Sequence, residues 1–244
     1  PKAASTTSPT RSKRRGTNTD LVWQKDLSAD WSTTVRWSRE QSNSRASYVY
    51  QNDRDSLDWT SVLRAFGGRL VTGVEWFDAE SASNRSQRAS VTQTSTAAFA
   101  SLEKPIAASL LNIGLRHQRM ENNFYNAVGS AAEKSTKGLT GWSLGGLSPL
   151  AWGELRYGLQ SSFAFPTADQ LYTFDGSFNP KDIYPGVEPM RSNEAQVSLD
   201  KKLSSATVRM GVRYIRINDE IGFKSDCSGT DDCNENLYDT SRAI

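Results

Sequence analysis

Hydrophobic and polar residues alternate with a period of two over most of this chain. In one segment, Leu111, Ile113 and Leu115 alternate with an amide, a glycine and an arginine. Successive side chains of a β-strand point to opposite faces, so this pattern predicts strands with one apolar and one polar face. No segment of useful length has the helical period. We count about ten strands, near residues 20–27, 31–42, 57–66, 69–79, 92–103, 107–118, 138–147, 151–163, 192–202 and 206–217.

The connections between these strands alternate between short and long. Up-and-down barrels of outer membranes have tight turns on the periplasmic side and long loops outside. A soluble β-sandwich has no reason to place all its long loops at one end. The short connections are Leu27 to Asp30, Phe66 to Arg69, Lys104-Pro105, Ser148-Pro149 and Leu203 to Ser205. The long, polar ones are Ala79 to Ser90, Met120 to Lys137, Ala164 to Met190 and Asn218 to Asp239.

Strand length separates a membrane barrel from a sandwich better than alternation does, because both folds can turn a polar face to water. The segments 107–118, 151–163 and 206–217 run past ten residues, whereas ordinary strands average about five or six. Tilted membrane strands need about nine to eleven. The sequence therefore predicts an all-β fold, part of an antiparallel up-and-down transmembrane β-barrel.

Bulk composition narrows the protein class only slightly. The 244-residue chain has a formal net charge of +2, which indicates no particular partner and gives no reason to expect nucleic acid. Its mean hydropathy is -0.59, and no run approaches the roughly 18 apolar residues of a spanning helix. A helical membrane protein is thereby excluded. A barrel is not, because only alternate residues of each strand face lipid.

The first 19 residues differ from the rest. They are polar, rich in Ser, Thr and Pro, and carry a basic run at 11–15. We predict a polar loop or disordered end over residues 1–19, since four basic residues without a basic domain support a nucleic-acid arm poorly. The chain begins at Pro1 and shows no signal peptide. An outer-membrane protein must be exported, so either the signal was removed or residues 20–244 are a piece of a longer barrel.

Specific motifs occur after the strand that ends near residue 163. FPT at 165–167, QLY at 170–172 and NP at 179–180 follow in that order, and TAAFASLE occupies 96–103. This succession resembles TonB-dependent outer-membrane receptors, in which similar motifs follow one another. The insertion 181–187 departs from the family pattern.

The resemblance implies a barrel of about 22 strands with a plug inside. It further implies energy supplied by the TonB protein and a ligand that is an iron chelate, haem or cobalamin. The chain shows neither a TonB-binding box nor a plug, so it resembles the middle of the barrel. We expect an iron chelate (siderophore) first and cobalamin second, contact with membrane lipid, location in the outer membrane, and no cofactor.

Two long loops hold the candidate site residues. The aromatic residues of the first are expected to close over a ligand or to pack the loop, and they are Tyr172, Phe174, Phe178 and Tyr184. The second contains Asp226, Asp231 and Asp232, whose oxygens suit calcium, although a solvated acidic loop is the favoured explanation. Cys227 and Cys233 lie among these acidic residues and form a disulfide in an oxidising compartment, or else remain two thiols.

Charged residues on the polar face of the strands are predicted to line the lumen, and His117, the only histidine, is expected at the rim. The predicted lumen residues are Glu75, Arg116, Glu154, Arg156, Arg209 and Arg213. A porin or adhesin barrel and a soluble β-sandwich binding module remain as alternatives. An enzyme has the least support, because no nucleophile motif or catalytic carboxylate pair is recognisable.

Overall fold

A computed structural model describes residues 13–45, 49–83, 90–125, 133–174, 180–183, 187–224, 233–236 and 240–243. Within them are fifteen strands and one short 3-10 helix, Ala168–Leu171. The strands of the main sheet are β1 (Lys13–Ser28), β2 (Trp31–Arg45), β3 (Val49–Ala65), β4 (Gly68–Ser83), β5 (Ser90–Ile106), β6 (Ser109–Tyr125), β7 (Glu133–Leu150), β8 (Gly153–Ala164), β11 (Met190–Lys202), β12 (Thr207–Asn218) and β15 (Thr240–Ala243). The short strands of the long connections are β9 (Tyr172–Phe174), β10 (Pro180–Ile183), β13 (Ile221–Lys224) and β14 (Cys233–Asn236).

The main sheet has eleven strands in the order β1-β2-β3-β4-β5-β6-β7-β8-β11-β12-β15. Each strand pairs antiparallel with its neighbours. Ten of them are 12 to 18 residues long, so the predicted all-β, up-and-down architecture is confirmed. The described residues contain no helix of sufficient length and hydropathy to cross a membrane.

The five tight turns predicted from the sequence lie at one end of the sheet, but two of them are displaced. Phe66 and Gly67 have φ of 56° and 71°, the positive values that a two-residue hairpin turn requires. The turns predicted at Lys104-Pro105 and Ser148-Pro149 are wrong, because β5 continues to Ile106 and β7 to Leu150. Proline lacks only the N–H donor, so it is compatible with a strand end where that donor is not needed.

At the other end the strands extend further than the sequence predicted. β6 continues to Tyr125 and β7 starts at Glu133, inside the segment predicted as a long loop. β1 starts at Lys13, so residues 13–19 are strand although they were assigned to a polar end. Alternation of apolar and polar residues ends where one face stops touching an apolar solvent. Backbone pairing continues beyond that point, because strands pair in water as well.

One face of the main sheet, the outer face, is apolar and exposed. Residues directly opposite each other in a ladder share a face, and Trp23, Val35, Trp59 and Val74 are such successive partners. Trp23 is 51% exposed. Large exposed apolar surfaces mark contact with another apolar phase, and here that phase is lipid. Further exposed apolar side chains of this face are Leu21, Trp31, Leu57, Trp76, Ile113, Leu115, Trp142, Leu144, Leu159, Val197, Val208, Met210, Val212 and Tyr214.

The apolar belt on the outer face does not follow the ladder rows. One row passes through Trp37, Leu57, Trp76, Thr96 and Arg119 in successive strands. It is apolar in β2 to β4 and charged in β6. Barrel strands tilt by about 35–45° from the membrane normal, so a row perpendicular to the strands must leave the bilayer as it crosses the sheet.

Candidate functional site: the inner wall and the connections above it

The opposite face of the sheet, the inner wall, is polar. Gly114, Ser143, Gln160 and Glu194 are successive ladder partners on this face. The charged residues predicted to line the lumen alternate with outer-face residues on their strands. Arg116 pairs with Glu75 and Arg156 with Glu154, whereas Arg209 and Arg213 pair with other carboxylates of this wall. Their placement is the one that the alternation in the sequence predicted.

Arg116 is the centre of one network on the inner wall. Its Nη2 donates to Glu75 Oε2 at 2.6 Å and to Gln118 Oε1 at 3.2 Å. The Gln118 amide in turn donates to Ser95 Oγ at 3.0 Å. The network joins β4, β5 and β6, and it satisfies both charges in place.

A second network occupies β8, β11 and β12. The Glu194 carboxylate accepts hydrogen bonds from Nε and Nη2 of Arg213, both at 2.7 Å, and from the Gln160 amide at 2.9 Å. The Asp200 carboxylate accepts hydrogen bonds from Nε and Nη2 of Arg209 at 2.6 and 2.7 Å, and its Oδ2 lies 3.2 Å from Arg156 Nε. Paired, two-point contacts of this kind are the strong form of the arginine–carboxylate bond.

The two partners of each pair differ in exposure. The side chains of Glu194 and Asp200 are 6% and 10% exposed, whereas those of Arg213 and Arg209 are 48% and 63% exposed. The carboxylates therefore lie beneath the guanidinium groups, and this part of the wall presents arginine to the lumen. Such a wall suits water or a polar protein domain, and it does not suit lipid.

Glycines occupy positions of the inner wall where a side chain would collide with the neighbouring strand. A Cβ on Gly211 would lie 2.7 Å from Ser198 Cβ and 2.9 Å from the Val197 carbonyl oxygen. Beside it is a depression of 330 Å³ bordered by Arg156, Arg209 and Arg213. A second depression, of 440 Å³, runs past Gly145 and Gly158. Close backbone approach on the inward side is how curved sheets accommodate their bend.

At the long-loop end, the β8–β11 connection folds back against the inner wall. Ala168 and Leu171 of the 3-10 helix, together with Val187, form one buried cluster with Val91 of β5 and Phe124 of β6. Leu171 is 1% exposed. This cluster is the only large group of buried apolar side chains among the described residues.

Gln93 fixes this connection with two hydrogen bonds. Its Nε2 donates to Asn122 Oδ1 and to the Pro166 carbonyl oxygen, each at 3.0 Å. Gln93 and Asn122 are 6% and 7% exposed. Lys137 of β7 adds an ion pair to Glu188 at 2.8 Å on the other side of the connection. Gln93 is not predictable as a site residue, because a glutamine in a polar strand carries no local signal of a partner far along the chain.

The predicted site residues lie mostly outside the described residues. Of the aromatic set, Tyr172 and Phe174 belong to β9, whose backbone alone is described. Cys233 begins β14, again without a described side chain. Phe178, Tyr184, Asp226, Asp231, Asp232 and Cys227 are outside, so ligand contact, calcium and the disulfide stay predictions. Among the side chains that the structure covers, no group of three or more His, Cys, Asp or Glu could hold a metal ion.

His117 lies on the outer face, not on the wall. It is opposite Ala98 and Thr140 in the ladders, and its Nδ1 is 2.9 Å from Thr140 Oγ1. It follows Leu115 on the same face, where the apolar belt of β6 ends. A rim position agrees with the prediction from sequence.

Comparisons with known proteins agree with this geometry. Residues 2–243 match the family model described as "TonB dependent receptor-like, beta-barrel". No curated protein sequence matches significantly. The FrpB iron transporter of Neisseria meningitidis is similar in structure, with a TM-score of 0.72 and 10% identity over 97% of this chain and 42% of that one.

Two other solved structures show the same similarity. The hemophore receptor HasR of Serratia marcescens, in complex with its hemophore HasA and heme, has a TM-score of 0.65 and 12% identity over 95% of this chain and 45% of its own. The copper transporter OprC has a TM-score of 0.67 and 13% identity over 94% of this chain and 49% of its own. At such identities the similarity shows the fold alone. The chain spans about half the length of these proteins.

Proposed function

Because this chain belongs to the TonB-dependent receptors, as part of their outer-membrane β-barrel, we propose that it is the central segment of a receptor for the uptake of an iron chelate. The observation that carries this proposal is the contrast between the two faces of one sheet. An exposed apolar outer face and a hydrogen-bonded polar wall suit a barrel that has lipid outside and a polar interior.

The inner wall also bears on the choice between an uptake receptor and a porin. The exposed arginines on β8 and β12 lie over buried carboxylates, so the wall offers ordered donors to a partner of complementary charge. A plug domain of the full-length receptor is the partner that we propose. Energy would come from the TonB protein through that plug, which lies outside this chain. A porin or adhesin barrel remains the second candidate.

The ligand class is proposed separately, because the similar structures handle different ligands. One similar structure is a hemophore receptor, one is a copper transporter and one is an iron transporter. Their low identity to this chain gives no reason to prefer one ligand, so the iron chelate is our proposal from family frequency, with cobalamin second. Ligand contact would come from Tyr172, Phe174, Phe178 and Tyr184, which lie in or beside the connection held by Gln93.

Uptake by the full-length receptor tests the proposal. Bacteria that lack this receptor would be complemented with the intact gene, with and without a functional TonB protein, and given iron-55 siderophores or cobalt-57 cobalamin. We expect TonB-dependent accumulation of an iron siderophore. Accumulation of cobalamin alone would replace the ligand class. Uptake of all small solutes without TonB would favour a porin and overturn the proposal.

The acidic loop has a separate test. We propose that Cys227 and Cys233 form a disulfide and that Asp226, Asp231 and Asp232 bind calcium beside it. Alkylation of the purified full-length receptor should leave both cysteines unmodified until a reductant is added, as mass spectrometry of the peptides would show. Labelling without reductant would show free thiols. Calorimetric titration with calcium alone, compared with a triple Asp→Asn variant, tests the metal prediction.

A further inference from the structure

The two long connections at the open end of the sheet meet on the inner wall. The β8–β11 connection carries the 3-10 helix and β9, and the β12–β15 connection carries β13 and β14. β14 contacts both β9 and the 3-10 helix. Ile221 of β13 packs against the buried cluster around Leu171 and Val91. The connections therefore share one apolar base, although they are separate in sequence.

Gln93 joins that base to the barrel wall by donating two hydrogen bonds from one amide group, which few side chains can do. Both hydrogens of one amide group are used, one on the Asn122 side chain and one on the Pro166 backbone. Both acceptors are in a region shielded from water, since Asn122 and Pro166 are buried. A buried acceptor that loses its donor bears the full cost of its lost hydration.

The contact also lies at the right place to control the connection. Pro166 lies two residues before the 3-10 helix, and the intervening Thr167 N–H donates to Gln170 Oε1 at 3.0 Å. β9 follows the helix directly. Fixing Pro166 thus fixes where β9 begins, and through β9 it fixes where β14 rests.

We propose that Gln93 is a positioning residue that holds both connections over the lumen as one unit, so that a ligand meets a preformed surface made from β9 and β14. The role in ligand capture rests on the proposed function. The mechanical role does not, because it concerns only which segments are held together. Rigid presentation of a binding surface lowers the entropy lost on association.

Hydrogen exchange of the full-length receptor in detergent micelles, followed by mass spectrometry, tests the mechanical role without any ligand. In Gln93→Leu, we expect amides of 168–174 and 221–224 to exchange about ten- to a hundredfold faster, since two buried oxygens lose their donor. Amides of β5 and β6 should keep their protection. Gln118→Leu is the matched control, because Gln118 bonds Ser95 and Arg116 on the same wall and makes no hydrogen bond to the described residues of either connection.

A second variant covers the case in which Gln93→Leu does not fold. In Gln93→Glu the Asn122 amide can turn and donate to the new carboxylate, whereas the Pro166 carbonyl has no hydrogen to give. The same acceleration in both connections is expected. Unchanged exchange in both variants would overturn the positioning role. Faster exchange in only one connection would overturn the single unit. The expected faster exchange in both connections of the variants, combined with absent siderophore uptake by the wild-type receptor, would leave this inference intact and overturn the proposed function instead.

Discussion

A series of arginine substitutions along β6 tests which face of the sheet meets lipid. Ile113, Leu115 and His117 are successive outward positions, and Ile113 is 45% exposed. Asn112 is the inward neighbour and borders a depression of 440 Å³. On a soluble sandwich, an arginine at an exposed position costs little, usually within about 0.5 kcal/mol. In a membrane barrel the cost depends on depth.

The expected magnitudes follow from strand geometry. Outward positions are about 7 Å apart along a strand, and a tilt of roughly 40° makes them about 5 Å apart in depth. Leu111 and Leu115 flank Ile113, so Ile113 lies near the middle of the belt. Arginine on the lipid face costs about 2–4 kcal/mol at the midplane and about 0–1 near the interface. We expect the full cost at Ile113, an intermediate one at Leu115 and almost none at His117.

The assay is reversible unfolding of the full-length receptor in phospholipid vesicles, titrated with guanidinium and followed by tryptophan fluorescence. Ile113→Arg should lower the folding equilibrium constant by about 30- to 700-fold, since each 1.4 kcal/mol is roughly tenfold. Asn112→Arg should change it by less than about threefold, because its side chain enters the polar depression. Equal costs at positions 112 and 113, or a greater cost at His117 than at Ile113, would refute the assignment of the faces.

Two further substitutions probe local packing and hydrogen bonding. Gly211→Ala should destabilise the full-length receptor by about 1–3 kcal/mol, because the new methyl group would press on the Val197 carbonyl oxygen, which is backbone and cannot rotate away; an unchanged denaturation midpoint would contradict this. Thr33→Val should cost about 1–2 kcal/mol, because the Trp59 indole N–H loses the Thr33 Oγ1 acceptor, 2.8 Å away on the apolar face, and the Thr60 carbonyl oxygen loses the Thr33 hydroxyl donor at 3.3 Å. Thr72 lies on the same face and makes no side-chain hydrogen bond to the described residues, so Thr72→Val is the control; equal effects at both threonines would show that the Thr33 hydrogen bonds contribute nothing.

Most of the sheet could be read from the sequence because its two faces contact different surroundings. Where one face touches lipid, as at Val74 and Trp76, the apolar positions must recur at every second residue, and the strand is visible. Where the outer face no longer touches lipid, as in β6 beyond Met120, the alternation is lost, although the strand continues to Tyr125. The missed strand ends therefore coincide with the end of the belt.

The candidate site could be read only in part, and for a different reason. The alternation that revealed the strands also placed Arg116 and Glu75 on one face. Contacts among charged residues on that face were therefore predictable, although the particular pair was not. The bond from Gln93 to Pro166 joins residues 73 positions apart. Such a contact depends on how a connection returns over the sheet. Glutamine and proline are both common at solvent-exposed positions, so neither residue type indicates the contact.

The low mean hydropathy of -0.59 follows from the same geometry. Inward residues of each strand build a hydrogen-bonded wall, and the outward residues beyond Trp37 or Trp76 are again polar. Only the outward positions inside the belt are predominantly apolar, and three of the four on β4 from Leu70 to Trp76 are so. A chain-wide average mixes these few positions with many polar ones. The lipid-facing surface is therefore identified by which of the alternating positions are apolar. A charge placed at one of these positions, as at Ile113, should lower the folding stability far more than a charge placed one residue away.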